Sequence, residues 1–166
     1  MSAVAIRPER TGDEGAIHAL TEAAFRDMPF SDGDEQDLVD RLRADGDLTL
    51  SLVAEDAERI VGHIAFSPVT ISDGSEDWFG LGPVSVWPEL HGQRIGSALV
   101  KRGIADMREH GARGIVLLGD PDYYARFGFE HDPKLAYPGP PPEYFQRLVL
   151  AGDAPEGNVT YARGFG

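Results

Sequence analysis

The stretch LGPVSVWPELHGQRIGSALV (residues 81–100) reads as a strand, a glycine-containing turn and a helix. A helix start leaves backbone N–H groups without partners and carries a partial positive charge, and glycine lets an anion approach the backbone closely. Residues 91–97 are therefore a candidate seat for a phosphate or pyrophosphate, although Gly92 and Gly96 suit a plain strand-to-helix turn equally well. Other chemistries find less support. With no cysteine there is no thiolate ligand or nucleophile, and His18, His63, His110 and His131 lack ligand-like spacing, so no metal site is expected. Asp32, Asp34, Glu35 and Asp37 form an acidic run that would attract a cationic ligand, or serve simply as a solvated helix face.

These residues need elements to hold them. Residues 3–7 alternate as a short strand, and Thr11 and Glu14 have capping-box spacing ahead of a helix over 13–25. Residues 28–33 break it, and a second amphipathic helix over 34–44 stops at Asp45-Gly46. Strands follow at 48–54, 60–71 and 79–86, the first two joined by a hairpin turn at 55–58. Past Trp87-Pro88, the residues Ile95, Leu99, Val100, Ile104 and Met107 recur at helical spacing, and that helix should end at Gly111. GIVLL (114–118) is a strand buried on both faces, and Asp120-Pro121 starts a short helix through Tyr124. Residues 128–130, 144–150 and 159–162 are extended again. The pattern predicts an α/β (α+β) fold with a mixed sheet, and not the strict alternation of a doubly wound nucleotide fold.

Composition sets the outer limits. A length of 166 residues and 42% apolar content fit one globular domain over 1–166. Acidic residues outnumber basic ones by 28 to 15, and the net charge of −13 argues against nucleic acid and anionic membrane as partners. No run reaches the ~18 apolar residues of a spanning helix and no leader pattern opens the chain, so a cytoplasmic protein is expected. The charge is unevenly spread. Residues 27–58 carry 11 acidic and two basic side chains, whereas residues 91–126 carry six basic and four acidic ones.

In order of elements and in motif, the chain resembles the GNAT superfamily of N-acetyltransferases, in particular its small bacterial YhbS-like branch. The family's turn, Gln/Arg-x-x-Gly-x-Gly/Ala, falls on His91, Arg94 and Gly96, so the first two places depart from it. Backbone amides still serve there if Arg94 adopts a helical φ. LLGDPDYYARFGF (117–129) is similar to the family segment in which Tyr-x-x-x-Gly-Phe closes the cofactor site, with Tyr124 in the tyrosine place. SLVA (51–54), GHIAFS (62–67) and GNVTY (157–161) extend the likeness over most of the chain.

That resemblance implies a mostly antiparallel mixed sheet with helices on both faces and splayed fourth and fifth strands. It implies acetyl transfer from acetyl-CoA to an amine within a ternary complex, the pantetheine arm on Val84, Ser85 and Val86 and the pyrophosphate on His91, Gly92, Gln93, Arg94, Ile95, Gly96 and Ser97. Tyr124 is then the general acid for the departing thiolate, since a phenol with a pKa of about 10 stays protonated at neutral pH. The Val86 N–H is the oxyanion donor. Asp77, Glu89, His91 and Glu143 are candidate bases, none of them preferred. Asp32, Glu35 and Glu143 would border a pocket for a cationic amine. The resemblance also implies a homodimer with residues 144–150 and 158–162 as interface elements. The competing expectation is an acyl-CoA-binding module that has kept the fold without the transfer step.

Overall fold

The computed structural model describes residues 4–29 and 31–166. Ala3 of the expected first strand and Phe30 of the expected loop lie outside the described residues. β3 (Arg59–Ile71), 13 residues rich in β-branched and apolar side chains, is the spine of the sheet. It pairs antiparallel with β2 (Leu50–Asp56) on one flank and with β4 (Trp78–Val86) on the other, and β2 pairs with β1 (Ala5–Pro8). Beyond β4 come β5 (Gly114–Leu118) and β7 (Phe145–Val149), giving the order β1-β2-β3-β4-β5-β7. β8 (Gly157–Tyr161) pairs with the far end of β3, and the two-residue β6 (Leu135–Ala136) runs parallel to β8.

The parallel pairing of β4 with β5 lasts only from Trp78 to Gly80, opposite Gly114 to Val116. Past that point β5 continues with β7 alone, its Leu117 and Leu118 opposite Gln146 and Phe145. β4 also changes register against β3 at Gly82-Pro83, where two residues oppose one, and Pro83 has no N–H to offer a neighbour. The two strands therefore diverge, leaving a wedge whose wall is the last third of β4. This is the splayed, mostly antiparallel sheet expected of the fold.

Helices cover both faces. α1 (Glu14–Phe25) and α2 (Glu35–Asp45) bury Ile17, Val39 and Val53 on one side. α3 (Ile95–His110) lays Leu99, Val100 and Met107 on the other, over Ile64, Phe66 and Ile115. Two glycines permit that approach. A Cβ on Gly62 would press on Ile95 and Leu99, and one on Gly103 would meet the Phe66 ring at 2.5 Å. Gly103→Val should therefore lower unfolding stability by about 1–3 kcal/mol in urea melts, because overpacking outweighs the few tenths of a kcal/mol by which valine is the better helix former.

Helix ends and turns differ in part from expectation. α3 stops as expected at Gly111, left-handed at φ 94°, with Gly111 N–H to Arg108 C=O and Ala112 N–H to Met107 C=O. The capping box before α1 does not form. Asp13, the residue before the helix, gives its carboxylate to Arg7 and to the Arg10 N–H, and Glu14 accepts from the Gly12 N–H. The ion pair instead ties Asp13 back to Arg7 of β1, six residues earlier. The hairpin turn is tighter than 55–58, because β2 runs to Asp56 and only Ala57 and Glu58, both at positive φ, make the bend.

Candidate functional site

Two clefts meet along the wedge. The first, of about 570 Å³, lies between the start of α3 and the segment after β5. The first bond closing α3 runs from Ala98 N–H to Arg94 C=O, so the N–H groups of Ile95, Gly96 and Ser97 have no acceptor within the helix. Gly96 faces open space. A Cβ there would touch only Tyr123 Oη and Val86 Cγ2, each at 3.8 Å, so the missing side chain leaves room in the cleft rather than relieving a clash. Arg94, Lys101 and Arg126 line the same cleft and no carboxylate does. Sixteen residues of helix, free amides and three cations together can attract a multiply charged anion.

His91, Gly92, Arg94, Ile95, Gly96 and Ser97 all line this cleft, as expected, while Gln93 is exposed and outside it. Arg94 does not take a right-handed helical φ. It sits at φ 66°, the left-handed region that glycine enters freely, which explains why a glycine at this place suits the turn. Leu90, Lys101, Tyr123 and Arg126 also line the cleft without having been singled out in the sequence. Lys101 is one helical turn past Ser97, and Arg126, three residues past Tyr123, stacks 4.5 Å from that ring; both spacings were readable.

The end of β4 supplies the floor. Trp87 N–H bonds Val61 C=O, and the same register sets Ser85 opposite His63 and Val86 opposite Gly62. Hydrogen-bonded and non-bonded pairs alternate in an antiparallel ladder, so Ser85 turns its backbone to β3 while Val84 and Val86 turn theirs into the wedge. Val86 C=O accepts from His91 Nε2–H at 2.9 Å, which leaves the Val86 N–H as the donor facing the gap. Ser85 does not line either cleft; its buried hydroxyl donates to Thr21 Oγ1 on α1.

The second cleft, about 350 Å³, opens on the other side of the wedge, and Val84 lines both. Tyr124 closes α4 (Pro121–Tyr124), whose first N–H is capped by the Asp120 carboxylate. Its ring lies where a Cβ on Gly119 would be and packs edge-on against Tyr123 and Phe129. Tyr124 lines the second cleft and Tyr123 the first. Burial pushes the Tyr124 phenol up to about 12, so it holds its proton throughout the neutral range.

Glu35 lines the second cleft, and its Oε1 accepts from Ser31 Oγ at 2.6 Å. Asp32 and Glu143 are exposed and line neither cleft. Part of the acidic segment 27–58 is already paired. Asp34 meets Arg41, Asp40 meets Arg43 and His18, and Asp45 meets Arg163. Among the described residues His18, Asp37 and Asp40 form one cluster that spacing did not reveal, with the Asp40 ion pairs as its evident role. Of the candidate bases, Glu89 is exposed beside Arg59, its carboxyl held below the usual range first by its own N–H and then by that arginine. Asp77 stands at the opposite end of β4 from Val86.

Behind Val84 to Val86 the sheet hides a polar stripe. His63 is fully buried, Ser51 Oγ lies 2.8 Å from its Nε2, and that hydroxyl donates to Glu9, which Arg43 clamps. Nδ1 has no partner among the described residues. Burial lowers this imidazole to about 4, against the attraction of Glu9. The unfolded chain, with an ordinary pKa of about 6.5, takes up a proton that the native state refuses, so stability is complete above about pH 6.5 and falls as pH drops towards 4. Between pH 7 and 5 the loss should be about 2 kcal/mol. Urea melts at the two pH values measure it, and His63→Leu should flatten the difference.

Comparisons with known proteins agree with this geometry. Residues 5–131 match the family model described as "Acetyltransferase (GNAT) domain". The chain is 41% identical over 157 residues to the "Uncharacterized N-acetyltransferase YhbS" of Escherichia coli K12, covering 92% of this chain and 90% of that one. A GNAT family acetyltransferase from Brucella melitensis, solved in complex with acetyl-CoA, superposes with a TM-score of 0.89 at 47% identity over 99% of both chains. The Escherichia coli YhbS structure in complex with CoA superposes at 0.90, with 36% identity over 99% of this chain and 93% of that one.

Proposed function

Since this chain belongs to the GNAT acetyltransferase family, we propose that it carries an acetyl group from acetyl-CoA to a primary amine by direct attack with both substrates bound. The observation that carries this reading is Val84, which lines both the cationic cleft and the second cleft, so that the two open onto one stretch of β4. The chain's own residues fit acetyl-CoA. Arg94, Lys101, Arg126 and the free amides of α3 face its phosphates, and the wedge-facing backbone of Val84 and Val86 matches the amides of its pantetheine arm. The bound relatives support that fit.

Acetyl-CoA supplies an acyl group activated as a thioester. The ammonium first loses a proton to solvent or to a base in the second cleft. The nitrogen lone pair then forms the C–N bond, and the Val86 N–H stabilises the negative charge developing on the carbonyl oxygen. As the C–S bond breaks, its electron pair leaves on sulfur and Tyr124 donates a proton there. Tyr124 recovers its proton from the nitrogen, whose second hydrogen is shed as the amide forms. The products are an N-acetyl amine, a free thiol and the proton lost at the start. His91 fixes the Val86 peptide through its carbonyl and is a positioning residue.

Free-thiol release, followed while acetyl-CoA and amines are varied together, tests the reading. Intersecting initial-rate lines are expected from attack with both substrates bound. Acetyl-CoA binding with no thiol release on any amine would instead identify an acyl-CoA-binding module.

A further inference from the structure

We infer that the acceptor is a primary amine carrying a single positive charge on an aromatic body, an arylalkylamine, rather than a polycation. This inference rests on the acetyl-transfer reading above. The charge distribution along the sequence favoured cationic acceptors in general; the second cleft is more selective. Among its lining residues Glu35 is the one acidic side chain, and none is basic. Leu38, Leu81 and Pro83 add apolar surface, and the rest of the wall is largely rings.

Those rings form a continuous surface. Tyr137 and Tyr161 meet edge-on with centroids 5.0 Å apart, and Tyr161 and Phe165 lie 4.9 Å apart at 43°. Tyr124 stands on the wedge side of the same cleft. An aromatic guest finds edge-to-face partners there, and its ammonium finds both ring faces and the Glu35 carboxylate. The second and third ammonium groups of a polyamine find no further carboxylate, and desolvating them against rings and Leu38 is unfavourable. Acetylation removes the single charge, so the product loses its attraction to Glu35 and is free to leave.

The chain builds this wall deliberately onto α2. Arg41 Nε donates to Gly164 C=O at 2.8 Å, Arg163 pairs with Asp45, and Gly164 packs on Leu42, which together hold Phe165 at the cleft. Glu35 and Leu38 belong to the same helix. Leu118 and Phe165 are among the few exposed large apolar side chains of the described residues, and both sit on this cleft, so its mouth as well as its wall is apolar.

The test compares kcat/KM for phenethylamine and tyramine with that for ethylamine, spermidine and kanamycin, by thiol release, with acetyl-CoA binding measured by calorimetry. The arylalkylamines should lead the other amines by about tenfold or more. Phe165→Ala should lower kcat/KM for phenethylamine and tyramine far more than for ethylamine, erasing most of that lead, and Glu35→Gln should raise the KM for phenethylamine about tenfold with the KM for acetyl-CoA unaltered. Spermidine or kanamycin matching phenethylamine would overturn the acceptor class and leave acetyl transfer standing. Calorimetric binding of acetyl-CoA with no thiol release on any amine would overturn the transfer reading and the acceptor class with it.

Discussion

Tyr124→Phe is expected to lower kcat about a hundredfold, with the Kd for acetyl-CoA unchanged. The substitution keeps the ring that packs over Gly119 and against Phe129 and deletes only the hydroxyl. It should leave the anion seat intact because Tyr124 lines the second cleft, whereas Tyr123 lines the first. The size of the effect follows from proton affinities. A phenol raised to about 12 by burial is a reluctant donor to a thiolate, whose conjugate acid has an ordinary pKa of about 8.5, so the low end of general-acid effects applies. The proton is still present throughout the neutral range, so Tyr124 itself introduces no falling limb there. Steady-state thiol release and calorimetry on the variant check both halves. An undiminished kcat would remove Tyr124 from the reaction.

Gly96→Glu is expected to weaken acetyl-CoA binding by about 2–4 kcal/mol, roughly 30-fold to 1,000-fold, while leaving the protein as stable as before. The two halves have separate causes. A carboxylate in the first turn of α3 is favourable to the helix, and a Cβ at residue 96 makes only ordinary contacts, so folding is undisturbed. The same charge stands where the free amides gather and where Arg94, Lys101 and Arg126 would otherwise meet phosphate unopposed. Gly96→Ala, which adds bulk without charge, separates crowding from repulsion. Retained affinity in the glutamate variant, measured by calorimetry at low and high salt, would show that the anion sits elsewhere.

Local signals in the sequence were strong where one element served one purpose. The apolar stripe of α3, its stop at Gly111 and the GIVLL strand, buried except at Leu118, were all legible because each depends on neighbours within a few turns. What escaped depends on distance. The acidic segment at residues 27–58 suggested a charged rim, yet Arg41, Arg43 and Arg163 pair with three of its carboxylates, and only Glu35 reaches the second cleft. Tyr137, Tyr161 and Phe165 come together because two residues of β6 pair with β8 and a terminal turn docks on α2. No periodicity marks such a wall, since its members lie on separate segments.

The divergence of β4 from β5 also has a bearing on inheritance. On the proposed reading, one side of the wedge relies partly on peptide groups of α3 and β4, which change little when side chains are exchanged, together with Arg94, Lys101 and Arg126. On the other, recognition is written in side chains drawn from α1, α2, β8 and the terminal turn. Mutations can therefore redraw the acceptor wall one ring at a time without disturbing the donor seat. If that reading holds, relatives sharing the sheet are free to differ in their acceptors, and the residues to compare first among them are those at positions 35, 137, 161 and 165.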